Sequence, residues 1–493
     1  MSETRSYSPS WPEQELIVGM DSALPRTLAA GTGTWLYLSG WCFHPVESIR
    51  KLEVVVDNAS YPVMAHSIFR PDVSRRHATQ REAMTNSSYS GFWALVPIYA
   101  DQVKRGVVID LHAQLKNGKQ LNAKLTTIDL LIDHSSAPPK REPEREHNRS
   151  RSDLPLIAIC LATHNPPPRL FRKQIESIIN QSHQNWICII SDDASSPESE
   201  REIERIAGSD RRFIFSRTPT RLGFYRNFER ALSLVPEDAD FIALSDHDDY
   251  WYPDKLQTLV SRFDQETLLV YSDMRIVDEN GEVLSDTYWT IRRNNYTNIG
   301  SLLLTNTITG AASMFPRYLL RYVLPFPTGC GNIYHDHWIA SVALSLGKIG
   351  YVDRPLYDYV QHSANILGHT SSPRSPLYKQ LYHIFVNLRD KQGRKYARQV
   401  YFEHVVRIMT LARMAILRCG RNLRSGDLKT LQRLADLDSS PISCAWLVQR
   451  GLKDGRQMSV TIGTEYFLLM GIAWKIYITL MSRIGLASRY DSD

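Results

Sequence analysis

Acidic residues are concentrated in a short polar segment near the middle of the chain. The segment Ser245-Asp246-His247-Asp248-Asp249-Tyr250-Trp251 places three carboxylates within four positions, directly after the apolar run 241–244. Carboxylates at this spacing repel one another unless a cation or basic partners compensate them. Carboxylate oxygens are also the ligands that Mg²⁺ and Mn²⁺ prefer. The segment therefore indicates a divalent cation site, although an acidic surface turn would show the same spacing.

Three further polar clusters could contribute to a site. In Asp192-Asp193-Ala194-Ser195-Ser196, an Asp could accept hydrogen bonds from a nucleobase or ribose, but such clusters are also ordinary helix N-caps. Tyr334-His335-Asp336-His337-Trp338 could supply a general base or a metal site, or it could be an N-cap with surface histidines. Gln361-His362-Ser363-Ala364-Asn365 could supply a metal ligand or a phosphate contact, but a single loop histidine is commonly just solvated.

Alternating strands and helices must position these clusters. Apolar runs typical of buried strands alternate with stretches of helical periodicity, which predicts a doubly wound, mostly parallel sheet. The segments are 156–161, 170–181, 186–190, 212–215, 225–234 and 241–244. Ligands of such sheets bind at the carboxyl ends of the strands. Thr163-His164-Asn165, Asp192-Asp193 and Asp246 to Asp249 all follow predicted strands, so we expect them at one edge.

The rest of the chain divides by composition. Residues 15–133 contain short β-rich runs and the hairpin signal Asn117-Gly118, which predicts a β-sandwich-like accessory domain. Residues 134–153 are rich in proline and charge and predict a linker. We expect the doubly wound sheet domain at 154–370 and a helical region at 371–493. Trp41, Phe92 and Trp93 could form a sugar-stacking platform, but core aromatics of the sandwich are the favoured interpretation.

Composition narrows the class of protein. With 493 residues, 43% hydrophobic and 22% charged, the chain is predicted to be globular with two or three domains. A net charge of +6 fits a phosphate-bearing ligand or an anionic membrane surface and does not by itself indicate nucleic acid. Six cysteines without a C-x-x-C pair argue against a zinc site and favour a reducing cytosol. The first residues lack an apolar run, so we expect no signal peptide.

The C-terminal region contains an apolar run at Tyr466 to Met481, shorter than a secure membrane span. It could be a packed helix or a helix in the membrane interface, with Trp474 and Lys475 at its middle. Six basic residues precede it and would favour an anionic surface. They are Arg413, Arg418, Arg421, Arg424, Lys429 and Arg433.

Taken in order, these pieces resemble the family 2 glycosyltransferases of the GT-A fold, especially the rhamnosyltransferase-like branch. The resemblance covers about residues 154–368. Two positions depart from the family pattern: His164, where Tyr is frequent, and Gln361, where Arg is common. The segments that carry the resemblance are 157–165, Gln181-Ser182-His183-Gln184-Asn185-Trp186, 191–195, Leu222-Gly223-Phe224-Tyr225-Arg226-Asn227-Phe228, 244–256, Ile308-Thr309-Gly310, 335–338 and 361–365.

The resemblance implies an inverting transfer from a nucleotide diphosphate sugar, with rhamnose a candidate sugar. It implies that Asp336 is the general base and that a divalent metal, Mg or Mn, neutralises the leaving diphosphate. The implied metal ligands are Asp248, Asp246 and His362. The implied donor nucleotide-binding residues are Thr163, Asn165, Asp192, Asp193, Arg226 and Asp246.

The resemblance also implies partners and a place of action. The acceptor would be a glycan or a lipid-linked sugar in bacterial-type cell-surface polysaccharide synthesis, with no nucleic acid involved. We expect a cytoplasmic protein, peripheral on the inner face of the membrane through its C-terminal region. One alternative is a non-catalytic glycan-binding protein, in which the carboxylates would be dispensable. Another is a sugar nucleotidyltransferase, which would need a Gly- and basic-rich loop where the chain has residues 163–168. The G-x-x-x-x-G-K-[ST] and G-x-S-x-G motifs are both absent from the sequence.

Overall fold

The structure is a computed structural model that describes most of the chain. The described residues are 15–77, 81–99, 106–131, 154–290, 293–328, 333–361, 388–454, 461 and 463–483. The predicted linker at 134–153 and the loop that contains His362 lie outside them.

The N-terminal part forms two packed β-sheets, so the predicted sandwich is confirmed. One sheet has the order β1-β3-β7-β6 and the other β2-β9-β8-β4-β5. Burial alternates along β3 and β8, which places Leu36, Leu38, Ile109 and Leu111 in a shared apolar core. The predicted hairpin joins β8 and β9, with Gly118 at φ +90°. The elements are β1 (Ile17–Met20), β2 (Thr27–Ala29), β3 (Thr34–Phe43), β4 (Ile49–Val56), β5 (Ala59–Pro62), β6 (Ala65–Ile68), α1 (Pro71–His77), α2 (Arg81–Ser88), β7 (Gly91–Ile98), β8 (Gly106–Leu115) and β9 (Gln120–Leu131).

The central part contains one large mixed sheet. Its order is β12-β11-β10-β13-β17-β15-β18-β14, with β16 paired to β15. The first four strands are parallel, as the alternating pattern predicted, and β17 joins antiparallel between β13 and β15. The strands are β10 (Ile157–Thr163), β11 (Trp186–Asp192), β12 (Phe213–Arg217), β13 (Phe241–Ser245), β14 (Tyr250–Trp251), β15 (Thr267–Asp278), β16 (Val283–Ser285), β17 (Ser313–Pro316) and β18 (Lys348–Gln361).

Helices cover both faces of this sheet. All seven residues of β10 are buried, which explains its continuous apolar sequence. Helix α3 begins with Pro168 in its first turn and buries Leu170, Phe171, Ile175 and Ile178 along one stripe. The helices are α3 (Pro168–Ile179), α4 (Pro197–Ala207), α5 (Phe224–Ser233), α6 (Lys255–Val260), α7 (Ile299–Leu304), α8 (Leu320–Val323) and α9 (His335–Leu346).

The C-terminal part is helical, as predicted, and shares its core with the central sheet. One apolar cluster contains residues of β10, of α9 and of each described C-terminal helix, so the described part of this region shares its core with the central sheet. The helices are α10 (Lys391–Val400), a π-helical segment (Tyr401–Val406), α11 (Arg407–Cys419), α12 (Ser425–Ala435), α13 (Pro441–Asp454) and α14 (Thr464–Arg483).

Arg418 joins the three parts of the chain. Its guanidinium is buried and donates hydrogen bonds to the carbonyls of Gly33 in the sandwich (3.1 Å) and of Tyr322 (2.9 Å) and Val323 (3.0 Å) beside the sheet. Burial lowers the pKa of Arg418 to about 10. Arg413 is also largely withdrawn from solvent: it donates to the Ala435 carbonyl and lies 4.9 Å from the Trp35 ring. The expectation that these two arginines face an anionic surface is therefore wrong.

Helix α14 packs inside the protein along much of its length. Trp474 stacks on Trp93 of the sandwich with ring centroids 6.2 Å apart, and Lys475 is buried in an ion pair with Asp438 at 2.8 Å. The interior position of both residues supports the packed-helix alternative. No helix in the described ranges is long and apolar enough to cross a membrane.

The three aromatic residues singled out in the sandwich have different surroundings. Phe92 lies in the sandwich core, and Trp93 is buried against Tyr401, Phe402 and Trp474 of the helical region. Trp41 is half-buried. Phe92 and Trp93 are therefore core aromatics and present no stacking platform.

Candidate active site

The strand register brings the predicted polar clusters to one edge of the sheet. Thr163 at the end of β10 pairs with Asp192 at the end of β11, and Leu161 of β10 pairs with Ser245 at the end of β13. The residues that follow these three parallel strands therefore gather at their carboxyl ends. This is where a doubly wound sheet binds its ligands.

The acidic segment after β13 contains carboxylates in two environments. Asp246 and Asp248 are half-exposed, whereas Asp249 is buried. Burial, together with the charges of Asp248 and Asp336, raises the pKa of Asp246 to about 7. Burial and the charges of Asp248 and Asp246 also raise the pKa of Asp249 well above its ordinary value. Asp246 and Asp248 are therefore placed to meet a ligand, and Asp249 lies behind them.

Lys255, in the first turn of α6, compensates this negative charge from inside the protein. It is fully buried, its ammonium lies 3.9 Å from the centre of the Trp251 ring and 4.3 Å from that of Tyr357, and it donates to the Ala311 carbonyl. Burial lowers its pKa, and the charges of Asp249 and Asp246 oppose that shift. Lys255 was not among the predicted site residues, although it belongs to the segment 244–256 that carries the family resemblance.

Asp336 lies at the N-terminus of α9. The helix dipole and the backbone N–H groups of the first helical turn favour a carboxylate at this position. It accepts hydrogen bonds from the backbone N–H groups of Gly310 at 3.3 Å and His337 at 2.6 Å. Burial nevertheless raises its pKa to about 6, and its charge in turn raises the pKa of Asp246. Two distant parts of the sequence thus bring carboxylates together at this edge.

The two histidines beside Asp336 face the protein interior. His335 stacks on Phe228 with ring centroids 3.8 Å apart, and the Nε2 of His337 contacts the Leu302 carbonyl at 2.9 Å. A β-carbon on Gly310 would lie 2.6 Å from the Nε2 of His335, so this close contact requires glycine. The alternative of neighbouring surface histidines is therefore wrong, because both rings are buried.

Asp192 is engaged by other protein groups. It is fully buried and accepts hydrogen bonds from the Thr163 hydroxyl at 3.0 Å, the Ser195 N–H at 3.0 Å and the Ser195 hydroxyl. The Arg217 guanidinium lies 3.5 Å away. Thr163 is likewise buried and has its hydroxyl directed to Asp192. Both side chains hold the loop after β11 in place.

The residues next to Thr163 and Asp192 differ in their exposure to solvent. Asp193 is buried and accepts from the N–H groups of Leu222 and Gly223, the latter at 2.8 Å, which anchors the loop before α5. Asn165 is exposed, with φ +43°, and its side-chain oxygen accepts from the Ser196 N–H. His164 is half-exposed and contacts the Asp193 carbonyl at 2.7 Å. His164 and Asn165 are the members of this cluster that face solvent.

Arg226 has a different setting from the other predicted residues. Its guanidinium forms an ion pair with Glu229 and reaches the Phe326 carbonyl at 3.4 Å. Both Arg226 and Glu229 line a cleft whose described lining contains none of Asp246, Asp248 and Asp336. Arg226 therefore faces this cleft, with its guanidinium held by Glu229.

The carboxylates of the acidic segment are the type of ligand that a divalent cation binds. The carboxylates of Asp246 and Asp248 repel one another, and oxygen ligands of this kind suit Mg²⁺ or Mn²⁺, which commonly take one or two carboxylates together with substrate phosphates. Among the described residues, no group of three or more His, Cys, Asp or Glu side chains is arranged to hold a metal by itself. His362, the third predicted ligand, lies outside the described residues.

Comparisons with known proteins agree with this geometry. Residues 158–324 match the family model described as Glycosyl transferase family 2. The chain is 28% identical over 137 residues to the uncharacterized glycosyltransferase MJ1057 of Methanocaldococcus jannaschii, a match that covers 27% of this chain and 47% of that protein. The chain thus spans about half the length of this curated relative.

Two solved structures show similarity over 67% of this chain. They are S. aureus TarS 1-349 in complex with UDP-GlcNAc (14% identity, 92% of that chain, TM-score 0.39) and the mannosyltransferase PcManGT from Pyrobaculum calidifontis in complex with GDP-Man and Mn²⁺ (16% identity, 88% of that chain, TM-score 0.35). At these values the similarities do not identify a donor for this chain. Residues 158–324 therefore match a family 2 glycosyltransferase domain, and they form most of a sheet whose strands end in the predicted acidic clusters.

Proposed function

We propose that the protein is an inverting glycosyltransferase that moves a sugar from a nucleotide diphosphate donor to an acceptor hydroxyl. The observation that carries the proposal is the meeting of Asp336 with the acidic segment after β13, at the edge where β10, β11 and β13 end. A single in-line displacement needs a base on the acceptor side and charge compensation on the leaving-group side. This edge offers both from separate elements.

Asp336 is the proposed general base. Two backbone N–H groups fix its carboxylate, and a pKa raised to about 6 makes it a stronger base than an exposed Asp while leaving it ionised near neutral pH. It would take the proton of the acceptor hydroxyl as that oxygen attacks the anomeric carbon of the donor sugar. The buried His335 and His337 rings support the backbone on either side of it.

Asp248 and Asp246 are the proposed ligands of a divalent metal, Mg or Mn, with His362 as a third. Such an ion would supply Lewis-acid neutralisation of the leaving diphosphate. Lys255 supports this arrangement from inside the protein, because its charge reduces the mutual repulsion of Asp249 and Asp246. Asp246 would also contact the ribose.

The nucleoside would lie against the loops after β10 and β11. Asn165 and His164 are accessible there and offer polar groups to a base or ribose. The contacts of Thr163, Asp192 and Asp193 support a positioning role, in which they hold these loops in the shape that the nucleotide meets. Arg226 would contact the nucleotide side of the pocket, with Glu229 holding its guanidinium.

The donor sugar and the biological setting are also proposals. The resemblance to the rhamnosyltransferase-like branch makes rhamnose a candidate sugar, and it favours an acceptor in bacterial-type cell-surface glycan synthesis. Nucleotide sugars are cytosolic metabolites, which favours a cytoplasmic site of action. Peripheral contact with the membrane would rely on the exposed residues Arg421, Lys429 and Arg433, since Arg413 and Arg418 are occupied inside the protein.

The direct test replaces Asp336 with Asn, which keeps the shape of the side chain and removes the base. We expect the kcat of sugar transfer to fall by about 10²- to 10⁴-fold while donor affinity stays within about 3-fold. Asp353→Asn, at an exposed position of β18 in the same domain, is the matched control and should keep full activity. Transfer by Asp336→Asn at the control's rate would rule out the base assignment.

A further inference from the structure

A large cleft lies where the three parts of the chain meet. Its volume is about 2420 Å³, and it is lined by β2 and the following loop, by the segment Arg317 to Phe326, and by Arg421 to Arg424 after α11. Ligand pockets for single small molecules usually measure about 300–1,000 Å³. The cleft therefore has room for several linked sugar or phosphate units.

The cleft runs along α5 to the end of the sheet opposite the proposed catalytic residues. Its lining includes Leu222 and Arg226 at the start of α5, and also Phe241 and Lys348, where β13 and β18 begin. The Leu222 N–H donates to Asp193, so one end of the cleft lies beside the loop after β11. A ligand at the Phe241 end would bind away from the acidic cluster, which follows the end of β13.

Positive charge predominates in this cleft. Seven basic and four acidic side chains line it: Arg226, Arg230, Arg317, Arg321, Lys348, Arg421 and Arg424, against Glu229, Glu237, Asp240 and Glu266. Several of the cations are already used: Arg226 pairs with Glu229, Lys348 with Glu266, and Arg424 with Asp427. Arg230 donates to Ser191 and Ser216.

Three arginines remain available to a ligand. Within the described ranges, the side chains of Arg317, Arg321 and Arg421 have no carboxylate partner. A buried Nε of Arg317 also has no hydrogen-bond partner in that part of the chain. Arginine presents a planar fork of donors that matches carboxylates and phosphates.

Aromatic surface lies beside these arginines. Tyr318 is 47% exposed in the cleft wall, and Tyr322 follows one turn later, with its hydroxyl interacting with Asn422 of the opposite wall. Tyrosine rings present an apolar face to sugar rings and a hydroxyl to their polar groups. The alternation of Arg317, Tyr318, Arg321 and Tyr322 thus combines anion recognition with a surface for stacking.

The cleft walls are held in place before any ligand arrives. Gly31 of the sandwich, at φ +57°, approaches so closely that a β-carbon there would lie 2.9 Å from Pro325 and 3.0 Å from the Leu324 carbonyl. Arg418 ties the same region to α11 by its three hydrogen bonds. A preformed site loses less conformational entropy on binding.

We propose that this cleft binds an anionic glycan, a chain of sugars that carries carboxylate or phosphate groups. In the described lining, three arginines have no carboxylate partner and four acidic side chains lie beside them, which disfavours a nucleic acid, because its binding relies on many phosphate contacts at once. A short glycan with a few carboxylates or phosphates can be held by three arginines. The glycan class follows from the proposed transfer function, whereas the location and the charge preference follow from the cleft alone. The site would hold an acceptor or product chain away from its reacting end.

The test measures binding to the full chain without any donor, so that it does not depend on catalysis. The probes are oligogalacturonate, a neutral malto-oligosaccharide of matched length, and a single-stranded RNA, titrated by calorimetry at low ionic strength. We expect the protein to bind oligogalacturonate at least about 10-fold more tightly than either other probe, and added salt to weaken that binding. Equal binding of the neutral glycan, or tighter binding of RNA, would overturn the proposal.

Variants locate the binding site. The double variant Arg321→Gln with Arg421→Gln should weaken oligogalacturonate binding by at least about 10-fold, because two charge-assisted contacts are lost. The single variant Arg421→Gln, at an exposed position, guards against misfolding and should weaken binding by about 3-fold or more. Arg211→Gln, an exposed arginine outside the cleft lining, is the matched control. Wild-type affinity in both the Arg421→Gln variant and the double variant would refute the site. Unchanged glycan binding by Asp336→Asn would show that the cleft binds its ligand independently of the proposed reaction.

Discussion

Acid should weaken the part of the fold that holds the proposed base. His335 and His337 flank Asp336 and are both buried, at 8% and 2% exposure. Burial lowers the pKa of each ring to about 3, and for His337 the charge of Arg407 acts in the same direction. In the unfolded chain a histidine titrates near pH 6.5. Between these two values the unfolded state binds more protons than the folded state.

The sign and size of the effect follow from this difference. The contribution of the two neutral histidines to the free energy of unfolding is fully present above about pH 6.5. It declines as the pH falls from there toward 3. For a group with these two pKa values, lowering the pH from about 7 to about 5 costs roughly 2 kcal/mol. The two histidines together account for roughly 4 kcal/mol. For a domain of about 200 residues, each kcal/mol corresponds to roughly 2–4 °C in Tm.

The assay compares the acid-induced fall in Tm between wild type and His335→Phe. Phenylalanine can keep the stacking on Phe228 and cannot be protonated, so the variant should lose about half of the histidine contribution, roughly 4–8 °C less fall between about pH 7 and 5. Because each protein is its own reference, a change in overall stability by the substitution does not affect the comparison. A half-exposed control, His112→Phe on β8, should leave the fall nearly unchanged if the effect is due to burial. If His335→Phe loses as much Tm as wild type, the buried-histidine argument is refuted.

Three further predictions concern charge. Asp248→Ala should weaken donor binding in the presence of Mn²⁺ by about 10-fold or more in calorimetry, since a carboxylate ligand is lost; wild-type affinity would assign the cation to other groups. Lys255→Met should lower the unfolding free energy by about 3–5 kcal/mol, because Asp249 keeps its buried environment without a countercharge. Adding Asp249→Asn to that variant should restore part of the lost Tm, and a further loss would contradict the coupling. Arg418→Met removes the donor to three carbonyls and should cost about 3–5 kcal/mol, seen as faster proteolysis between the sandwich and the central sheet.

The parts of the fold that could be predicted are those for which the local pattern of apolar and turn residues specifies the structure. The strand β10 was predictable because a strand buried on both faces needs a continuous apolar run, and Asn117-Gly118 was predictable because the turn needs positive φ. Parallel strands end at one edge, so the position of Asp246 and Asp192 near each other followed from the alternation alone. The antiparallel insertion of β17 was not predictable, because its pairing joins residues far apart in the sequence.

The misjudged residues are those whose role depends on tertiary contacts. Lys255 has the sequence context of a surface lysine at a helix start, and only the packing of Trp251 and Tyr357 around it shows that it is a buried countercharge. Arg413 and Arg418 lie on a basic helix that would suit a membrane, yet their partners are backbone carbonyls contributed by other elements. Long cationic side chains give no local signal of whether they point outward or inward.

The stacking of Trp93 on Trp474 has a consequence for how the chain is made. Trp93 leaves the ribosome early, whereas its partner is about 380 residues further along, which at about 5–20 residues per second means a delay of roughly 20–80 s. During that interval Trp93 of the sandwich, and later Tyr401 of the helical region, are exposed without the helix α14 that covers them. The nascent protein therefore depends on α14 to cover an apolar surface of the sandwich, and slow synthesis should expose that surface to chaperones.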